Sequence, residues 1–156
     1  MALLTSLPLE DAQRLAAAHG LGAVTSVTPI PAGSVNSNFF VDLAGEPRRV
    51  FLRIYEEQGE AGVAFEWALL AHLAAAGLPV PARIAGPGPG DARVAGKPVA
   101  LFELATGRPT CQAGVDADRA RAVGAILGRA HLVTRSFGWR RASRFSPASL
   151  RERLVT

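Results

Sequence analysis

Only one cysteine, Cys111, occurs in the 156 residues, so no intramolecular disulfide can form, and no CxxC or Cys/His spacing offers zinc a ligand set. With no base beside it in the sequence, Cys111 reads as an incidental loop thiol. No apolar run reaches the roughly 18 residues that a membrane-spanning helix needs. The first thirty residues have no basic cluster leading into an apolar stretch, and Leu7-Pro8 breaks the only apolar start, so no secretion signal is expected. The setting these absences imply is soluble, reducing and cytoplasmic, with no membrane partner. Two phosphate-binding signatures are also missing. Without GxxxxGK[ST] there is no P-loop, and without GxGxxG opening a helix a dinucleotide-binding fold is disfavoured.

Charge of one sign is scarce until the end of the chain. The net +4 comes from the last segment, where Arg135, Arg140, Arg141, Arg144, Arg151 and Arg153 face one acid, Glu152. Residues 1–134 carry 11 bases and 12 acids. A nucleic-acid-binding domain spreads its basic side chains over a folded face with aromatics between them. An excess confined to one end argues for an orphaned helix or a solvated tail, and no nucleic-acid partner is expected. A hydrophobic fraction of 49% and a charged fraction of 19% describe a globular chain. Its length suits one domain, or one lobe of a two-lobed protein.

Patterning predicts a helix over Pro8–His19, with Pro8 in the first turn, Glu10 and Asp11 at the positive end and Gly20 at the stop. Strands are predicted over Ala23–Ile30, Asn38–Leu43 and Arg49–Tyr55. A helix over Ala61–Ala76 follows, with Phe65, Leu69 and Leu73 as its apolar stripe and Gly77 at its end. Leu78-Pro79-Val80-Pro81 must be extended, because each proline pushes the residue before it out of helix. Two short antiparallel strands are expected at Arg93–Val94 and Pro98–Leu104. A last helix over Asp116–Val133 aligns Val123, Ile126, Leu127 and Ala130 on one face. The fold class is therefore α+β: a five-stranded antiparallel sheet with an inserted helix, followed by the first helix of a second, helical part.

Three segments carry candidate chemistry. The loop Gly33-Ser34-Val35-Asn36-Ser37-Asn38 joins two strands, and its small polar residues let backbone N–H groups approach an anion, although a hairpin needs Gly and Asn for turn geometry anyway. Arg53 sits near the end of the otherwise apolar run Val50-Phe51-Leu52-Arg53-Ile54-Tyr55. It either points to solvent on an alternating strand or faces inward and needs a partner, which Glu66 on the next helix could supply. The run Val99 to Gly107, an apolar strand ending in small residues, has the shape of a hinge whose backbone meets a flat ligand edge, although any buried strand leading into a loop has it too. His131 and His72 read as hydrogen-bonded core residues.

The blocks Gly33-Ser-Val-Asn-Ser-Asn-Phe-Phe-Val41, Phe51-Leu-Arg-Ile-Tyr-Glu56, Phe65 to Pro81, Gly96-Lys-Pro-Val-Ala-Leu-Phe102 and Gly128-Arg-Ala-His-Leu132 resemble homoserine kinases of the aminoglycoside-phosphotransferase/choline-kinase superfamily, across roughly residues 5–145. The resemblance implies a protein-kinase-like N-terminal lobe and hinge over residues 1–107, with an incomplete helical lobe over 108–156. It implies ATP and Mg²⁺ as cofactors and transfer of the ATP γ-phosphate to the hydroxyl of L-homoserine, a step toward threonine. By position, Gly33, Ser34, Asn36, Ser37 and Asn38 would cover the phosphates, Arg53 would contact them and Glu66 would orient Arg53. Glu103 C=O and Ala105 N–H would meet adenine, with Phe102 behind it. Arg53 departs from the lysine usual in such folds; it keeps the charge but needs a reshaped site.

The same resemblance implies what this stretch does not contain. The family's His-x-Asp-x-x-x-x-Asn loop and its later metal-binding Asp have no match, so no catalytic and no metal-binding residue is assigned. The expectation is a truncated or split kinase, inactive alone, with apolar surface left on the Val123/Leu127 helix and around Trp139. A complementing C-terminal half or self-association would cover that surface. Choline, an aminoglycoside or another alcohol are alternative acceptors, and a non-catalytic nucleotide-binding module is the reading from another class.

Overall fold

The computed structural model describes residues 4–31, 33, 35–107, 114–141 and 146–154. The elements run α1 (Leu9–Ala18), β1 (Val24–Ile30), β2 (Ser37–Leu43), β3 (Arg49–Ile54), α2 (Glu60–Ala75), β4 (Arg93–Val94), β5 (Lys97–Glu103), α3 (Ala117–Thr134) and α4 (Pro147–Leu154). The five strands form one antiparallel sheet in the order β1-β2-β3-β5-β4. The boundary expected between residues 107 and 108 borders a stretch, 108–113, outside the described residues, and Ser34 and Cys111 also lie outside them.

Period-two alternation gives the sheet two faces with different tasks. On one, Phe39 and Val41 of β2, Val50, Leu52 and Ile54 of β3 and Val99 and Leu101 of β5 are buried together with Ala12, Leu15 and Ala16 of α1. On the other, Tyr55, Ala100 and Phe102 close over Val63 and Trp67 of α2, with Phe51 and Leu70 at the margin. The two strands β4 and β5 meet through a two-residue turn, Ala95-Gly96, in which both residues have positive φ (49° and 77°). Such a turn matches the twist of the flanking strands.

The packing of α2 differs from the expected stripe. Its buried positions are Val63 and Trp67, while Phe65 turns to Phe137 in an edge-to-face contact at 5.6 Å. A helix apolar on nearly every side has no unique inward face in its periodicity; the sheet and the segment after α3 select the two faces between them.

The helix α3 is capped by Asp116, whose side chain accepts the Arg119 backbone N–H at 2.8 Å. It buries none of its own residues. Val123 is 65% exposed, Leu127 54% and Trp139 52%, as expected for an apolar face left open. His131 is exposed too, which corrects its expected place in a core: a helix that buries nothing cannot bury its histidine. His72 does lie packed, its Nε2 at 3.0 Å from the Val133 carbonyl and its ring 5.3 Å from that of Phe137. The basic segment near the end of the chain contains the short helix α4.

Candidate functional site

Strand parity decides which way Arg53 points. Val50, Leu52 and Ile54 take the buried face beneath α1, so Phe51 and Arg53 must take the face toward α2. The β2–β3 register sets Asn38 opposite Arg53, and the β3–β5 register sets the small Ala100 on its other side. Glu66 comes from the second turn of α2. Arg53 Nη1 donates to Glu66 Oε1 at 3.3 Å and Nε donates to Asn38 Oδ1 at 3.4 Å. The guanidinium also lies over three rings, 5.6 Å from the centroids of Phe51 and Phe102 and 6.0 Å from that of Tyr55. Side chains of Arg53 and Glu66 remain 31% and 24% exposed, so a charged partner still has access.

These groups border a cavity of about 350 Å³, within the range that takes small ligands. Phe51, Leu70, Pro81, Phe102 and Leu104 give it apolar walls; Arg53 and Glu66 supply its charge; Glu103 and Ala105 line it where β5 runs out. Phe102 is buried and tilted against Phe51 at 6.2 Å. The Glu103 N–H is already taken by the Ala82 carbonyl at 2.8 Å, which ties this strand end to the extended segment after α2. An apolar slot with one cation at its wall suits a flat ring carrying an anionic tail.

The segment from Gly33 into the first residues of β2 divides into two parts. Gly33 has φ +125°, a backbone conformation that favours glycine, and sits with the Asn38 amide nearby. Asn38 donates to the Asn36 carbonyl at 3.2 Å, and Asn36 Oδ1 accepts the Glu56 N–H at 3.4 Å. Asn38 thus belongs to the neighbourhood of Arg53, and Asn36 is tied to Asn38 and to the Glu56 backbone. Ser37 does not belong to that neighbourhood, which corrects its expected role as a hydroxyl on phosphate. Its parity is that of Phe39, it is fully buried, and its Oγ donates to Glu56 at 2.5 Å while accepting the N–H groups of Leu4 and Thr5.

Sequence reasoning passed over Tyr55, Trp67 and Glu56. Tyr55 hydroxyl donates to Glu66 Oε1 at 2.8 Å and accepts from Trp67 Nε1 at 3.3 Å. Burial, reinforced by the Glu66 charge, pushes the Tyr55 hydroxyl far above its ordinary range, so it stays protonated. Period two alone would have placed Tyr55 beside Arg53. Nothing local announces that Glu56 binds Thr5 and Lys97.

Among the described residues no three His, Cys, Asp or Glu side chains gather to hold a metal ion, and no helix is long and apolar enough to cross a membrane. Residues 26–155 match the phosphotransferase enzyme family. The homoserine kinase of Janthinobacterium sp. (strain Marseille) is 33% identical over 138 residues, covering 88% of this chain and 42% of that protein. The homoserine kinase of Cupriavidus necator is 32% identical over 140 residues, with 88% and 42% covered. That of Burkholderia pseudomallei (strain 1710b) is 33% identical over 139 residues, with 88% and 40% covered. The chain spans about two fifths of the length of these curated relatives.

Proposed function

Because the chain belongs to the phosphotransferase enzyme family, we propose that it forms the ATP-binding lobe of a kinase whose acceptor is the hydroxyl of homoserine. The observation that carries this reading is the Arg53–Glu66 pair on the wall of an apolar cavity. In the proposed complex, adenine lies between Phe102, Phe51 and the aliphatic wall, with its edge toward the backbone of Glu103 and Ala105. The phosphates run toward Arg53, with Glu66 holding the guanidinium in place, and the loop from Gly33 to Asn38 covers them through backbone N–H groups and the Asn36 and Asn38 amides. Homoserine as acceptor rests on the relatives' names alone.

Kinase chemistry also uses Mg²⁺ to neutralise charge on the transferred phosphate. No residue of this chain is assigned to hold that ion. What this chain's own residues contribute is binding and orientation of the nucleotide. We therefore propose that the 156 residues alone bind ATP and transfer no phosphoryl group.

Calorimetric titration of the 156-residue chain with ATP and with adenosine tests the reading. ATP should bind, and Arg53→Ala should weaken it by about 10-fold to 100-fold, the scale of a charge-assisted hydrogen bond. Adenosine, which lacks the phosphates, should bind both proteins alike. Absence of ATP binding, or equal ATP affinity in the variant, overturns the assignment. Phosphohomoserine formed by the isolated chain would overturn its proposed inactivity.

A further inference from the structure

Glu66 is shared by two donors, and the two contacts are unequal. Its Oε1 takes the Tyr55 hydroxyl at 2.8 Å and Arg53 Nη1 at 3.3 Å. Tyr55 is fully buried, whereas the Arg53 side chain is 31% exposed. Water can therefore replace the arginine as a partner far more readily than it can replace the tyrosine. The direction of the tyrosine's bond is also determined. Trp67 Nε1 can only donate, so at 3.3 Å it occupies an acceptor position of the Tyr55 oxygen and leaves the hydroxyl proton for Glu66. Trp67 itself is buried, and the Arg83 guanidinium covers its ring at 4.1 Å from the centroid. The Tyr55 backbone is pinned as well, its N–H donating to the Pro98 carbonyl at 2.9 Å.

We propose that Tyr55, oriented by Trp67, is a positioning residue that fastens Glu66 and thereby presets Arg53 for the nucleotide phosphates; this rests on reading Arg53 as the phosphate contact. Arg53 is then held by a carboxylate that is itself anchored to the end of its own strand. The bracket joins β3 to α2 through protein groups alone, so in this proposal the cation is preset for phosphate by its own chain. Without the hydroxyl, Glu66 is free to turn to water and Arg53 loses its fixed partner.

Tyr55→Phe keeps the ring in its buried place and removes only the hydroxyl. ATP affinity should fall about tenfold, and adenosine affinity should not change. In the nucleotide-free protein, the Arg53 Nε–H signal followed by NMR should exchange with solvent faster in the variant. Trp67→Phe, which frees the hydroxyl proton to turn elsewhere, should move both readouts the same way by less, and it serves as the test should Tyr55→Phe not fold. Equal losses for ATP and adenosine, or unchanged Arg53 exchange, would sink the proposal. If wild-type protein binds no ATP, the nucleotide reading fails, and the exchange rate alone then decides whether the bracket exists.

Discussion

Replacing Glu56 with alanine should destabilise the fold by about 3.5 kcal/mol. The Glu56 side chain is 2% exposed and anchors three distant pieces of chain. Ser37 Oγ donates to its Oε1 at 2.5 Å, Thr5 Oγ1 donates to its Oε2 at 2.9 Å, and the Lys97 ammonium closes on the same Oε2. Each hydroxyl bond to the buried carboxylate is worth about 1.5 kcal/mol. Lys97 is 36% exposed, so water screens its charge and its share is about 0.5 kcal/mol. Truncation also leaves the Ser37 hydroxyl proton unpaired at a fully buried position. Urea unfolding at pH 7 measures the loss.

The same carboxylate makes the loss depend on pH with a definite sign. Burial raises the Glu56 pKa, but the hydrogen bonds from Lys97, Ser37 and Thr5 outweigh it and hold the group below the ordinary 4.5. A depressed folded value means that the unfolded chain takes up the proton first as pH falls. The stabilisation is thus complete above 4.5 and declines as pH drops below that toward the depressed folded value. As pH falls from 4.5 through the depressed folded value, wild type should lose more stability than Glu56→Ala, and the gap between them should narrow. A variant within about 1 kcal/mol of wild type at neutral pH, or a gap that stays constant on acidification, would refute the reasoning.

Phe137→Ala should cost about 3 kcal/mol, because this buried ring packs against Phe65, His72 and Trp139 and joins α3 to α2. Hydrogen exchange should then speed up in α3 while β2, β3 and β5 stay protected, since none of their core contacts involves residue 137. The double change Val123→Lys with Leu127→Lys should leave the unfolding free energy within about 0.5 kcal/mol, as both side chains are mostly exposed. Light scattering should show less association in that variant, because it interrupts an open apolar face.

Local pattern and tertiary contact divide this protein along a visible line. Every strand and helix down to α3 was legible to within a residue or two, because apolar periodicity, prolines and glycines act over neighbouring residues. The pairing of Arg53 with Glu66 was legible as one of two alternatives, since a cation near the end of an apolar strand either points to solvent or needs a partner, which the next helix offers. Ser37 was misplaced for a related reason: its small hydroxyl suggested the loop, whereas its parity with Phe39 already assigned it to the buried face. The stripe chosen on α2 failed because a helix apolar all round does not announce which side meets the sheet.

By itself the sequence determined the α+β element order and offered Glu66 as the partner of an inward-facing Arg53, both of which follow from interactions within or between consecutive elements. Only the folded chain decided that β5 lies between β3 and β4, that Glu56 meets Thr5 and Lys97, and that Tyr55 shares Glu66 with Arg53. Those outcomes join groups as many as 53 residues apart, as Val50 and Glu103 are. No periodicity encodes a contact of that range, which exists only once burial has removed water as the competing partner.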